Sequence, residues 1–212
     1  MESRITTLIL YIPILVVLIT VHEFSHAWAG HMLGDVTAKR EGRLTLNPLA
    51  HIDPVYTLGL PILLILIGSP IVFGAAKPVP FNPYAVRHGK WGAALIAVAG
   101  PASNFLMAVF GAIWLRIFPI QGLGQKFLVM FVVTNLAFFL FNMIPFPPLD
   151  GSRVLYAIAP PKMADVMEKI ESYGLTGVFI FILVIYPLIS PWFGRAILWM
   201  TTILIGSSTL SS

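Results

Sequence analysis

The chain is 212 residues long, 58% hydrophobic and only 10% charged, with a mean hydropathy of +0.88. Soluble domains carry about 25% charged residues, so this chain has too little polar side chain to cover a water-facing surface, and its apolar content excludes a disordered chain. The net charge of +4 suits the cytoplasmic rim of a membrane protein rather than nucleic acid, and the absence of cysteine excludes disulfides, a thiol nucleophile and thiolate metal ligands.

A first apolar helix is predicted from Ile5 to about Leu33, uncharged between Ile5 and Val21. It is long enough for a span of about 20 residues. No small-x-small cleavage site follows the apolar run, so it reads as a retained helix and not as a secretory signal. Residues 34–54 are polar, and Arg43-Leu44-Thr45-Leu46 within them alternates as a short strand would. Residues 55–76 are apolar but interrupted by Gly59, Pro61, Gly68, Ser69 and Pro70. Those breaks suit a re-entrant or partly embedded segment, with a full span as the alternative. A proline-rich polar stretch, 77–90, precedes two long apolar runs, Trp91–Phe118 and Phe127–Ile144. After a polar connection over 146–173, further helices are expected at about 174–189 and 192–206, separated by Pro187 and Pro191.

The expected fold is an all-α polytopic membrane protein. It has about five spanning helices, one re-entrant or partly embedded segment and short membrane-associated β-strands. No internal repeat and no connection long enough for a second module is present. Residues 1–212 are therefore expected to form one membrane domain, with a core over about 5–155, additional C-terminal helices over about 174–206, and no soluble regulatory domain.

Ionisable residues inside a span are costly, about 2.5–3.5 kcal/mol or more each. The first helix carries three, His22, Glu23 and His26, in the string His-Glu-Phe-Ser-His. Positions i and i+4 share a helix face, so both imidazoles can point at one metal ion, with the glutamate able to reach a water on that metal. A catalytic zinc needs three protein ligands and an open position. The alternative is a hydrogen-bonded polar cluster that holds helices together.

A third ligand must come from a carboxylate or another histidine. His31 lies off the face of His26. His51 and His88 sit in polar loops and read as interfacial or surface residues. Glu41, Asp53, Asp165, Glu168 and Glu171 lie among opposite charges and read as solvated pairs. Asp150 differs, because it closes an apolar segment in Pro145-Phe146-Pro147-Pro148-Leu149-Asp150-Gly151. The prolines fix an extended turn. The composition is equally compatible with a third ligand and with a boundary carboxylate capping the next short helix.

His22-Glu23-Phe24-Ser25-His26, Gly100-Pro101-Ala102-Ser103-Asn104 and Asn142-x-x-Pro145-x-Pro147-Pro148-Leu149-Asp150-Gly151 resemble the three motifs of the site-2 proteases. These are intramembrane zinc metalloproteases of peptidase family M50. Gly42-Arg43-Leu44-Thr45-Leu46-Asn47-Pro48 and Ala76-Lys77-Pro78-Val79-Pro80 resemble the compact prokaryotic branch without PDZ or CBS domains. The resemblance covers about residues 5–155. It implies one Zn2+ per chain held by His22, His26 and Asp150, with Glu23 as the general base that activates a zinc-bound water. It further implies that Asn104 helps hold the substrate carbonyl or oxyanion, and that Asn142 contacts the substrate backbone. The implied activity is hydrolysis of peptide bonds within or near transmembrane segments. The implied partners are the lipid bilayer of a prokaryotic cell membrane and a membrane-protein substrate with a transmembrane helix.

A transmembrane substrate hides its peptide bonds in its own helix and must unwind locally. An extended segment can then pair with a strand edge, and Arg43–Leu46 is the expected edge. If the motifs are to meet, the helices carrying His22 and Asp150 run in the same direction. Lys39, Arg40, Arg43, Lys77, Arg87, Lys90, Arg153, Lys162 and Lys169 then share one side, leaving Arg4, Arg116, Lys126 and Arg195 on the other. The positive-inside rule places the motif side, and the active site near it, toward the cytoplasm.

Overall fold

The structure is a computed structural model, and it describes residues 2–69, 72–118 and 120–206. Helix α1 (Glu2–Met32) is followed by the short α2 (Thr37–Arg40). A π-helical turn, Pro54–Gly59, leads into α3 (Leu60–Ile67). The long helices α4 (Gly89–Ile117) and α5 (Leu123–Asn142) precede the short α6 (Gly151–Ile158) and α7 (Pro161–Glu171). Helix α8 (Leu175–Ile180) passes through a π-helical segment, Phe181–Ile185, into α9 (Tyr186–Ile205).

Among the described residues, four helices are long and apolar enough to cross a membrane: Arg4–Met32, Gly89–Ile117, Leu123–Asn142 and Thr176–Ile205. The expected count of five is corrected by the last of these, which runs through both Pro187 and Pro191. Pro187 falls in the first turn of α9, directly after the π-helical segment, whose wider winding accommodates the lost backbone bond. Pro191 cannot donate to the Pro187 carbonyl, and the Ser190 hydroxyl donates to that carbonyl instead, at 3.1 Å.

The expected β-strands are also corrected, because no strand occurs among the described residues. The alternation in 43–46 reflects side-chain anchoring and not a ladder. Arg43 turns inward, 6% exposed, and donates to the carbonyls of Lys77 and Pro78 at 3.1 and 2.8 Å. His51, expected at a surface, is fully buried. Its Nε2 lies 2.8 Å from the Thr45 carbonyl, and its own carbonyl accepts from the Lys77 amide.

The segment Pro54–Ile67 is an apolar helix shorter than a full span. Asp53 caps its start by accepting from the amides of Val55 and Tyr56. At its far end Arg4, near the start of α1, donates to the Leu66 carbonyl at 2.6 Å. Residues 72–79 then return without regular structure. The Ala75 amide pairs with the Tyr56 carbonyl, and Ala76 packs against the Ile14–Ile19 cluster of α1. The return ends beside Glu23, where the Val79 amide lies.

Three apolar clusters fix the bundle. Ile14, Leu15, Leu18 and Ile19 of α1 pack against Phe131 and Phe138 of α5 and Met107 of α4. Ala108 and Ala112 of α4 meet Val132 and Leu136 of α5 and Ile205 of α9. Leu149 packs with Phe181 and Ile182. Outward-facing positions on the same helices are apolar too, including Ile9, Leu106, Phe110, Leu183 and Leu198. Polar residues lie inside instead: His22, Glu23, Asn104 and Asn135 are all buried. A polar interior beneath an apolar exterior is the arrangement that lipid selects.

Candidate metal centre

His22 and His26 project from one face of α1, as their i, i+4 spacing requires. Their Nε2 atoms lie 3.0 Å apart. Asp150 Oδ2 lies 3.2 Å from the first and 3.4 Å from the second. Each residue offers a donor atom within 4.8 Å of the others. The structure thus brings together the two histidines of the first motif and the aspartate of the third.

The turn that presents Asp150 is built by its neighbours. Leu149 is buried against Phe181, and the Leu149 amide closes onto the Phe146 carbonyl at 2.9 Å. Gly151 is required by a close approach: a Cβ there would lie 2.3 Å from the Met143 carbonyl oxygen. Gly100 plays the matching part on α4. A Cβ at Gly100 would lie 2.3 Å from His26 Nε2 and 2.8 Å from His22 Cε1, so only glycine leaves the space between the imidazoles open.

The outer ring nitrogens face carbonyl oxygens. His22 Nδ1 lies 2.6 Å from Asn104 Oδ1, and His26 Nδ1 lies 2.7 Å from the Ile96 carbonyl. A carbonyl oxygen only accepts, so each Nδ1 carries the hydrogen and each Nε2 presents a lone pair. Two lone pairs 3.0 Å apart beside a carboxylate repel unless a cation lies among them. Two nitrogens, one oxygen and an open fourth position are a donor set suited to zinc.

A cavity of about 330 Å³ opens on this cluster, lined by Glu23, Asn142, Pro78, Val79, Pro80 and Phe81 among others. Glu23 is 8% exposed and accepts from the Val79 amide at 3.2 Å. Asn142 lines the cavity, with its Nδ2 donating to the Phe138 carbonyl at 3.0 Å. Asn104 is placed differently. It is fully buried, its oxygen faces His22, and its Nδ2 donates to Asn135 Oδ1 at 3.2 Å and to the Leu18 carbonyl at 3.4 Å. In this structure its amide therefore supports a histidine and does not face the cavity.

The other acidic residues stay outside the cluster. Glu171 pairs with Arg153, and Glu168 accepts from the Tyr156 hydroxyl, which raises that tyrosine's pKa. Asp35, which also lines the cavity, accepts from Thr37 and from the Asn82 amide. Sequence reasoning missed Asn135, Val79 and Asp35. Only Asn135 carried a readable signal, a polar side chain inside an apolar span.

No family model and no solved structure matches the chain. Curated relatives do. A Bacillus subtilis (strain 168) protein, provisionally named zinc metalloprotease YwhC, is 37% identical over 194 residues, which is 87% of this chain and 82% of that protein. Rip2 of Mycolicibacterium smegmatis (strain ATCC 700084 / mc(2)155), likewise provisionally named a zinc metalloprotease, is 30% identical over 183 residues, 84% of this chain and 67% of that protein. Rip2 of Mycobacterium tuberculosis (strain ATCC 25618 / H37Rv), named in the same way, is 31% identical over 186 residues, 84% and 68% of the two chains. With its motif residues gathered into one donor cluster, and with relatives matched over most of their length, the chain belongs to the family of zinc metalloproteases that includes YwhC and Rip2.

Proposed function

We propose that this protein is a site-2-type intramembrane zinc endopeptidase of peptidase family M50, in the compact branch without PDZ or CBS domains. On this reading it cleaves peptide bonds within or near the transmembrane segments of membrane proteins. The observation that carries the reading is the position of the donor cluster. His22 and His26 lie inside Arg4–Met32, a helix long and apolar enough to cross a membrane. At about 1.5 Å per residue, His22 is roughly 15 Å from the α2 end of that helix and roughly 27 Å from Arg4. Peptide hydrolysis there acts on a bond within the bilayer, nearer the face that carries α2, α6 and α7. The excess of Lys and Arg on that face favours the cytoplasm of a prokaryotic cell.

His22, His26 and Asp150 would hold the zinc, one ion per chain. When bound, zinc supplies a Lewis acid that polarises the substrate carbonyl and acidifies water. Glu23 takes the proton from the attacking water and passes it to the leaving amine, the work of a carboxylate beside the reacting atoms. Asn142, on the cavity wall, positions the substrate backbone. The expected strand edge at 43–46 is not preformed, so the unwound substrate lies instead along Pro78–Phe81, which lines the cavity. The segment Pro54–Ile67 with its irregular return is read as re-entrant, entering and leaving on the face of the active site.

The test compares membrane peptide fragments by quantitative proteomics in cells carrying the intact protein or Glu23→Gln. Fragments cut within single-span proteins are expected only with the intact protein. Identical fragment profiles would remove the protease reading.

A further inference from the structure

We infer that Asn135 is a positioning residue that fixes which nitrogen of His22 is free to bind metal. The inference rests on the zinc reading of the site and extends it to α5, a helix that contributes no ligand. Asn135 is fully buried in the middle of an apolar span, where a polar side chain is expensive unless it has a task.

The relay has a direction. The Asn135 Nδ2 donates to the Phe131 carbonyl at 2.9 Å. A backbone carbonyl can only accept, so Asn135 must turn its oxygen the other way. That oxygen faces Asn104 Nδ2 at 3.2 Å. Asn104 in turn must present its own oxygen to His22 Nδ1, 2.6 Å away. His22 then has its hydrogen on Nδ1 and its lone pair on Nε2, toward His26 and Asp150.

Each link is fixed by the one before, and the chain ends on a group that cannot reverse. The Leu18 carbonyl, 3.4 Å from Asn104 Nδ2, supports the same direction through a longer contact. His26 obtains the same tautomer in one step, from the Ile96 carbonyl at 2.7 Å. His22 depends on two asparagines. Without Asn135 the Asn104 amide loses its shorter acceptor and can rotate. Its NH2 would then face His22 Nδ1, which favours the tautomer with hydrogen on Nε2, and that form cannot bind metal through Nε2.

The experiment uses the full chain in detergent, labelled with 15N-histidine, as wild type and as Asn135→Leu, which removes the relay while keeping the number and branching of side-chain heavy atoms. Two quantities are read: the tautomer of His22 in the metal-free protein and the affinity for zinc alone, by competition with a chelator. The variant is expected to show the Nε2–H form of His22 and to bind zinc about tenfold more weakly. Asn135→Ala gives the same reading if the leucine variant does not fold. If either the tautomer or the affinity stays as in the wild type, the assignment is overturned. A wild type that binds no zinc would instead overturn the zinc reading, while the tautomer would still report on the relay.

Discussion

The Val79 amide donates to the Glu23 carboxylate at 3.2 Å, across 56 residues of sequence. Pro78 and Pro80 flank it, and proline has no amide hydrogen. Val79 therefore carries the one N–H that the 78–80 run can offer Glu23. The bond engages one carboxylate oxygen and leaves the other for the proton transfer proposed for Glu23.

That contact gives a clean pair of variants. Val79→Ala keeps the amide, whereas Val79→Pro removes it. A hydrogen bond to a charged group contributes about 1.5–3 kcal/mol, so cleavage is expected to fall roughly 10- to 100-fold in Val79→Pro and to change little in Val79→Ala. Zinc content should be unchanged in both, since neither touches a ligand. Equal rates in the two variants would show that the amide does not position Glu23.

Gly100 offers a steric test of the metal seat. Gly100→Ala places a methyl group 2.3 Å from His26 Nε2. Within a helix this change favours helix formation by about 1 kcal/mol, so the backbone gains while the seat is filled. Zinc affinity is expected to drop by at least about tenfold, with the helical circular dichroism signal retained. Wild-type zinc affinity in Gly100→Ala would mean that the metal lies elsewhere.

Asp35 supplies a pH dependence outside the spanning helices. Burial alone would raise its pKa, but hydrogen bonds from Thr37 and the Asn82 amide more than offset that and hold it below the ordinary value of 3.8. A carboxyl with a lower pKa when folded stabilises the fold above its unfolded pKa, and this contribution is lost as pH falls through the folded value. The thermal midpoint of the wild type should therefore decline in acid below about pH 4 more steeply than that of Asp35→Asn. Parallel curves for the two proteins would contradict this role.

The donor cluster was legible because its chemistry has a spacing. His22 and His26 are four apart on a helix, and Asp150 follows a run of prolines that stiffens its turn. Asn135 belongs to no motif of fixed spacing, and its role appears only when α1, α4 and α5 are packed together. Pro187 and Pro191 announced a helix break, yet a π-helical segment and the Ser190 hydroxyl carry the helix through. The alternation at 43–46 suggested a strand, but periodicity could not show that Arg43 would bury itself against the carbonyls of Lys77 and Pro78. His51 looked like a surface or interfacial residue because its loop is polar, although the folded loop buries its ring.

The metal content of three purified proteins tests the zinc site most directly. Wild type and Glu23→Gln should each carry one zinc per chain, because Glu23 is not among the three donor residues. Asp150→Ala should lose most of its zinc, since it removes one of three donors. Full zinc retention in Asp150→Ala, or a wild type without zinc, would contradict the assignment of His22, His26 and Asp150 as the ligands.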